Sequence, residues 1–254
     1  MGSKLLSLIL IALSSVVPSA TAEPAVNTDK VSQLPNFTAQ YHIYHDDNTV
    51  GKATRTLKNL ADNTVEFSYQ TDIEWLIFSD HRREVTTNKI IDGQVIPITY
   101  HSTRKGTGKD KRYSWSFNRQ KSQVTDLKKQ KTIDIDWPQG LQSKLSYHLQ
   151  SRLNLLNGIK HFDFATLTTS GNVKNYTYEY MGEEQISVPY GEVKAIKLKR
   201  EKSNKQTTYV WFAPELGNLM VKLHQIDGSL KEFEVKLVSV KTENATTEKT
   251  PLGE

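Results

Sequence analysis

The chain is predicted to be mainly β, a large curved antiparallel sheet or half-barrel with one amphipathic helix packed on it. Three observations predict this. Apolar and polar residues alternate with period two through most of residues 37–240, turn-forming residues recur between the alternating runs, and the period lengthens to that of a helix only once.

The first strand is written in Phe37, Ala39, Tyr41 and Ile43, which alternate with Thr38, Gln40, His42 and Tyr44 to give one apolar and one mixed face. Asp46-Asp47-Asn48 supplies turn chemistry, and residues 50–57 return as the neighbouring strand. Val65, Phe67, Tyr69, Thr71 and Ile73 repeat the pattern, and further strands are expected at 81–91, 95–103, 112–117, 122–127 and 131–135. Asp92-Gly93 separates two of these and favours the backbone twist of a tight hairpin.

The helical exception follows Trp137-Pro138-Gln139-Gly140. Leu141, Leu145, Leu149, Leu153 and Leu156 then form one stripe, leaving Gln142, Lys144, Gln150 and Arg152 in water. Pro138 suits a first turn and Asn157-Gly158 a stop, so the spacing predicts a helix of about seventeen residues. Strands resume at 161–169, 173–180, 185–188, 192–199, 205–212, 219–225 and 229–240, with Asp227-Gly228 as another hairpin turn. An antiparallel sheet can leave one face wet, which accounts for the alternation, whereas a parallel fold would need helices between its strands. Closure into a barrel is an alternative arrangement of the same strands.

Residues 1–22 read as a secretory signal: Lys4, then an apolar run from 5 to 17, then the small-x-small end Ala20-Thr21-Ala22. The run is too short to span a bilayer comfortably, and no second one follows, so no transmembrane span is expected after cleavage and the expected location is the periplasm. Residues 23–36 read as a flexible leader, 37–242 as a single β-rich domain and 243–254 as a polar tail. Cysteine is absent, which removes disulfides, thiolate ligands and thiol nucleophiles. An exported chain of this length can nevertheless bury roughly 70 % of its unfolded surface and fold without staples.

The formal net charge is +5, and the signal carries off one lysine and no acid. So modest an excess, together with export, argues against nucleic acid as a partner. Basic residues gather at Arg104-Lys105, Lys109 to Arg112, Lys128-Lys129-Lys131 and 197–205. Arg104, Lys105, Lys109, Lys111 and Arg112 flank Gly106-Thr107-Gly108, but the stretch fails as a phosphate loop. Asp110 stands where Ser or Thr is required, and a strand follows in place of a helix. It reads as a basic hairpin tip that could contact an anionic headgroup.

Candidates for catalysis and metal binding fail on spacing. His42 and His45 sit three apart on a strand and point to opposite faces, no Gly-x-Ser-x-Gly or HExxH occurs, and Glu183-Glu184 and Asp72/Glu74 do not define an acid and a base across a substrate. No catalytic residue, metal or cofactor is assigned. The aromatic residues say more. Trp75-Leu76-Ile77-Phe78 breaks the alternation with four large apolar residues, Trp211-Phe212 closes a strand, and Trp115 and Trp137 add bulk. Trp75, Phe78, Trp115, Trp211 and Phe212 are therefore candidates to line a groove for an acyl chain or apolar segment. The alternative is that these side chains fill the core.

Trp211-Phe212-Ala213-Pro214, within 209–223 and followed by Asp227-Gly228, resembles the closing motif of the bacterial envelope family known as domain of unknown function 3108. So do Gly191, Ala195 and Leu198 within 188–198, and Asp92-Gly93 within 91–97. The resemblance implies an exported β-rich protein whose sheet looks like the half-barrels of periplasmic lipoprotein carriers. It brings no catalytic residue, and Met220 stands where members commonly have Pro. Two functional readings follow: a non-catalytic carrier for an acyl-bearing or apolar envelope ligand, or an envelope protein-interaction module without a ligand cavity. Hydrolysis comes third.

Overall fold

The computed structural model describes residues 34–203, 206–227 and 231–243. The expected signal, most of the leader and tail, and the turn at 228–230 lie outside the described residues. The first half of the chain supplies β1 (Asn36–His45), β2 (Asn48–Asn59), β3 (Thr64–Trp75), β4 (Phe78–Ile91), β5 (Gln94–Gly106), β6 (Lys111–Asn118), β7 (Gln123–Asp126) and β8 (Lys131–Asp134). After the helix α1 (Ser146–Leu156) come β9 (Phe162–Leu167), β10 (Val173–Val188), β11 (Gly191–Ser203), β12 (Gln206–Ala213), β13 (Leu219–Asp227) and β14 (Lys231–Glu243). These strands form one sheet in the order β8-β7-β6-β5-β4-β3-β2-β1-β14-β13-β12-β11-β10-β9. Every neighbouring pair is antiparallel, and β1 pairs with β14, so the two halves of the chain are one layer. The sheet is open, with edges at β8 and β9.

The period-two pattern decides which face is inside. Phe37, Leu57, Phe67, Thr86, Tyr100 and Trp115 stand opposite one another across six strands, and all are buried. Phe37, Ala39, Tyr41 and Ile43 all turn inward, as their alternation predicts. Leu34, the first described residue, is buried, and Asn36 opens β1 with its side-chain oxygen accepting from the backbone N–H of Asn59 at 2.7 Å. Tight reversals fall where the Asp residues place them. Asp46 and Asp47 between β1 and β2, and Asp92-Gly93 between β4 and β5, all take positive φ, the geometry a two-residue hairpin demands.

Helix α1 is shorter than the leucine spacing predicts. It spans 11 residues and starts at Ser146, with Leu141 and Leu145 in the irregular strip before it. The reason lies in Gln142. Its N–H donates to the Ala165 carbonyl at 2.8 Å and its carbonyl accepts from Leu167 at 2.9 Å, so its backbone is spent on the edge of β9 and is not free for a helical turn. Ser143 and Ser146 then bond reciprocally, each backbone N–H to the other's hydroxyl at 2.8 and 2.9 Å, and fix the entry to the helix. The leucines keep their common inward side because strip and helix both lie on the inner face, where Leu141, Leu145, Leu149 and Leu153 are buried.

The residues expected on the wet side of this helix need correction. Gln142, Gln150 and Arg152 are all buried, and Lys144 alone is partly exposed. The two glutamines are drawn inward by backbone groups at the β4–β5 hairpin that no strand satisfies. Gln142 Nε2 donates to the Val95 carbonyl at 2.9 Å, Gln150 Oε1 accepts from the Val95 N–H at 2.6 Å, and Gln150 Nε2 donates to the Gly93 carbonyl at 3.0 Å. Strip and helix thus fasten β5 to β9, two strands far apart in the sheet. Close approach of the two ends is visible again at Gly171, in the β9–β10 turn with φ +87°. A Cβ there would lie 3.1 Å from the Trp115 ring on β6 and 3.3 Å from Ile133 on β8.

Gln142→Ala removes three side-chain bonds at this seam and leaves the Val95 carbonyl buried without a partner. Equilibrium urea unfolding is expected to register a loss of about 2–4 kcal/mol, against a change within about 0.5 kcal/mol for Ala at the exposed Gln139.

Candidate functional site

Hydrophobic side chains normally leave the solvent, and the β3–β4 hairpin does the opposite. Trp75 and Phe78 pair at its end, and the two turn residues between them, Leu76 and Ile77, are 85 % and 86 % exposed. Leu76 adopts φ +54°. A γ-branched side chain in the left-handed region costs roughly 1–2 kcal/mol against the Gly or Asn that ordinarily fills such a turn. Neither folding stability nor solubility selects a leucine there. Trp75 is anchored from below: its ring lies 4.4 Å from the His45 ring, which also meets Phe233 edge-on at 4.7 Å. The hairpin therefore presents a firm apolar tip.

The neighbouring β5–β6 hairpin reaches the same end of the sheet and is tied to this tip. Thr107 N–H donates to the Ser79 carbonyl at 2.8 Å, and Ser79 N–H donates to the Thr107 hydroxyl at 3.0 Å. Gly106, at φ +125°, permits the contact, because a Cβ there would sit 2.2 Å from the Ser79 carbonyl oxygen. Asp80 is the clamp. One carboxylate oxygen accepts from Arg82 Nε at 2.6 Å and the other from Arg104 Nε at 2.8 Å, while Arg104 also donates to the carbonyls of Thr107 at 2.8 Å and Lys109 at 3.2 Å. Partial burial works against ionisation of Asp80, but the hydrogen bonds from Arg82 and Arg104 outweigh it and hold the carboxyl below the usual aspartate range.

With Arg104 committed to this clamp, Lys105, Lys109, Lys111 and Arg112 remain exposed and make no ion pair with a described residue. The basic β7–β8 turn with Lys128 and Lys129 lies at the same end of the sheet, set back because Asp126 pairs with Trp115, four residues into β6. Of the residues singled out by sequence, Trp75, Phe78 and the five cations of the β5–β6 hairpin are thus brought together: an apolar tip with a cationic flank.

The other three groove candidates are elsewhere. Trp115 is buried on the inner row against the β9–β10 turn. Phe212 also faces inward, opposite Ile196 and Met220, which are buried too. Trp211, its neighbour, faces the other side, where Lys197 and Lys222 cover the ring at 4.9 and 5.0 Å and Glu184 accepts from its indole N–H at 2.5 Å. The five do not line one groove. Sequence reasoning noted Leu76 and Ile77 but missed that they form a turn, because neither Gly, Asn nor Asp announces it; it also missed Asp80. Among the described residues no group of three or more His, Asp or Glu side chains could hold a metal ion, and no helix is long and apolar enough to cross a membrane.

An open, curled antiparallel sheet around one inner helix, with its exposed chemistry at a hairpin end, defines a β-rich domain of the barrel-like class. The chain belongs to the family described as "Protein of unknown function (DUF3108)", which it matches over residues 38–232. No curated protein matches it. Among solved structures, the β-barrel-like protein of domain of unknown function DUF1849 from Brucella abortus is similar at a TM-score of 0.57 and 13 % identity, over 83 % of this chain and 99 % of that one. The MucA/MucB complex of Pseudomonas aeruginosa is similar at a TM-score of 0.32 and 11 % identity, over 87 % of this chain and 56 % of that one. The hypothetical lipoprotein YmcC of Escherichia coli follows at 0.26 and 7 %, over 84 % and 89 %. At such identities the first likeness speaks for the fold alone, and the other two carry no argument.

The Asp80 clamp has a pH signature. Because its pKa is depressed in the folded state, the stability it contributes is complete above the unfolded value of about 3.9 and is lost as pH falls through the lower folded value. Carbon-detected NMR titration is expected to place the Asp80 midpoint below 3.9 by this reasoning, and Arg104→Gln should move that midpoint upward and speed amide exchange at Thr107.

Proposed function

We propose that this protein is an exported, non-catalytic envelope protein that docks on an anionic membrane surface through the β3–β4 tip and the β5–β6 cationic flank. The observation that carries the reading is the exposure of Leu76 and Ile77 beside four cations that have no acidic partner among the described residues. Each half of the site is weak alone. Immersing two aliphatic side chains in the headgroup boundary is worth about 3–5 kcal/mol, and each Lys or Arg close to an anionic surface adds about 1 kcal/mol. One such signal gives only marginal, reversible attachment, and two together give a useful one. A signal sequence that delivers the chain to the periplasm sets this surface within reach of lipid.

The acyl-carrier reading has less to stand on. Small-molecule pockets commonly hold about 300–1,000 Å³ and are largely apolar. The inner cavity beneath α1 measures about 20 Å³, and the larger hollow of about 530 Å³ at the ends of β1, β2 and β14 mixes Phe37, Leu57 and Leu60 with Asn36, Thr56, Lys58 and Lys241. The core that would have to open is filled by Leu145, Leu149 and Leu153.

Co-sedimentation with vesicles tests the proposal. The protein is expected to bind phosphatidylglycerol-containing vesicles and not pure phosphatidylcholine. Raising the salt should weaken binding, and it should fall about tenfold or more in Leu76→Asp/Ile77→Asp and again in Lys105→Glu/Lys109→Glu/Lys111→Glu. Wild-type protein that ignores anionic vesicles, or variants that bind as well as wild type, would overturn it and direct the search to a protein partner.

A further inference from the structure

On the inner face, set back from the docking tip, two arginines are buried without a paired acid among the described residues. Arg55 on β2 is 5 % exposed and Arg152 on α1 is 6 % exposed, and no described carboxylate lies within 4.0 Å of either. Arginine is almost never fully buried unless paired, since an uncompensated charge in a low-dielectric interior is strongly disfavoured. Aromatic faces compensate in part. The Arg55 guanidinium lies 4.9 Å from the Tyr69 ring centre and 5.8 Å from that of Tyr41, and Arg152 lies 5.0 Å from that of Phe37. Arg152 Nε also donates to the Gly217 carbonyl at 2.7 Å.

These contacts leave donors over. Arg55 Nε and Arg152 Nη1 are both buried and have no hydrogen-bond partner, and both residues line the 20 Å³ cavity under α1. Asn218, 5 % exposed, lines the same cavity with its Oδ1 unpartnered, and a flip of its amide would present the NH₂ instead. His148 is a further wall. Burial, followed by the charges of Arg55, Arg200 and Lys144, holds its pKa well below the ordinary histidine value, so it adds no charge of its own near neutral pH. Burial likewise lowers the Arg152 pKa to about 10, which leaves it charged at neutral pH. A space of about one water, lined by Arg55, Arg152, His148 and Asn218 together with six apolar side chains, can be filled in two ways. A water would satisfy the hydrogen bonds but leave both charges uncompensated.

We infer that this cavity is a binding site for one monatomic anion, a halide little larger than a water molecule, held by Arg55 and Arg152. The site is independent of the membrane surface, since it involves neither the tip nor its cations. Bound there, the anion ties β2 to α1 and to the β12–β13 turn that carries Asn218, and so acts as a structural ligand of the inner face.

The test is thermal unfolding of the full protein in sodium gluconate, with chloride or bromide exchanged in at constant ionic strength and pH. A saturable rise in Tm of about 3 °C or more is expected with at least one of them. Chloride is expected to act at the lower concentration, because the larger halide fits the space less well. Arg55→Gln should abolish the dependence; should that variant not fold, Arg152→Lys, which keeps the charge and loses the fork, is expected to weaken it. Bromide diffused into crystals of the wild-type protein should give an anomalous peak beside both guanidinium groups. A Tm indifferent to both anions, or an equal response in Arg55→Gln, would overturn the inference and leave the cavity to water.

Discussion

An open sheet of fourteen strands needs something to hold its distant parts together, and Gln142 meets that need for this fold. Its backbone occupies the edge of β9 and its side chain holds Val95 on β5, so one residue bridges strands separated by most of the sheet. Gln150 repeats the attachment one helical turn into α1. The sheet consequently curls around its own helix, and the inner face is packed. The β9–β10 turn at Gly171 fits closely against Trp115 and Ile133, where a Cβ would make contacts of 3.1 and 3.3 Å, so the two ends of the sheet meet tightly. Hydrogen bonds of this kind contribute about 1 kcal/mol each when made and cost more when one partner is left buried alone. They specify the curl more than they drive it; the drive comes from the leucines and aromatic rings beneath.

Two departures from the usual distribution of polarity stand out against that packed interior. Leucine and isoleucine lie in water at the β3–β4 tip, and two arginines lie buried on the inner face. Each runs against the free-energy gradient that built the rest of the domain, and proteins concentrate such departures where they act. The tip also places Leu76 in a left-handed turn conformation, and its flank uses a glycine and a bidentate aspartate to keep it in position. The inner arginines are cushioned by aromatic faces, an arrangement that lowers the cost of a buried cation without neutralising it.

Much of the fold was legible in the sequence because period two is a direct record of which side chains face the core. Phe37 to Ile43, the Asp-Asp and Asp-Gly turns, and strands as short as β7 and β8 could all be placed in this way. The helix was overextended at its start, since a leucine every four residues suits an inward-facing irregular strip as well as a helix, and only tertiary contacts spend the Gln142 backbone on β9. The glutamines and Arg152 were assigned to water by residue type, whereas unsatisfied backbone groups and aromatic faces elsewhere drew them in. Half the candidate site was legible as chemistry but not as location. Trp75 to Phe78 break the alternation, yet a turn without Gly, Asn or Asp carries no local signal, and Arg55 was hidden in an inward position between Ala53 and Leu57 that alternation alone would have flagged.

The curled sheet is filled from within, and the proposed docking surface lies on its rim. Native mass spectrometry of protein purified gently from the envelope, followed by lipid analysis of whatever accompanies it, addresses this most directly. A filled interior predicts a chain free of any stoichiometric acyl species once peripheral lipid is stripped by salt. An acyl chain that stays bound one-to-one through that wash would contradict it, because α1 and Leu149 and Leu153 would then have to leave the space they occupy.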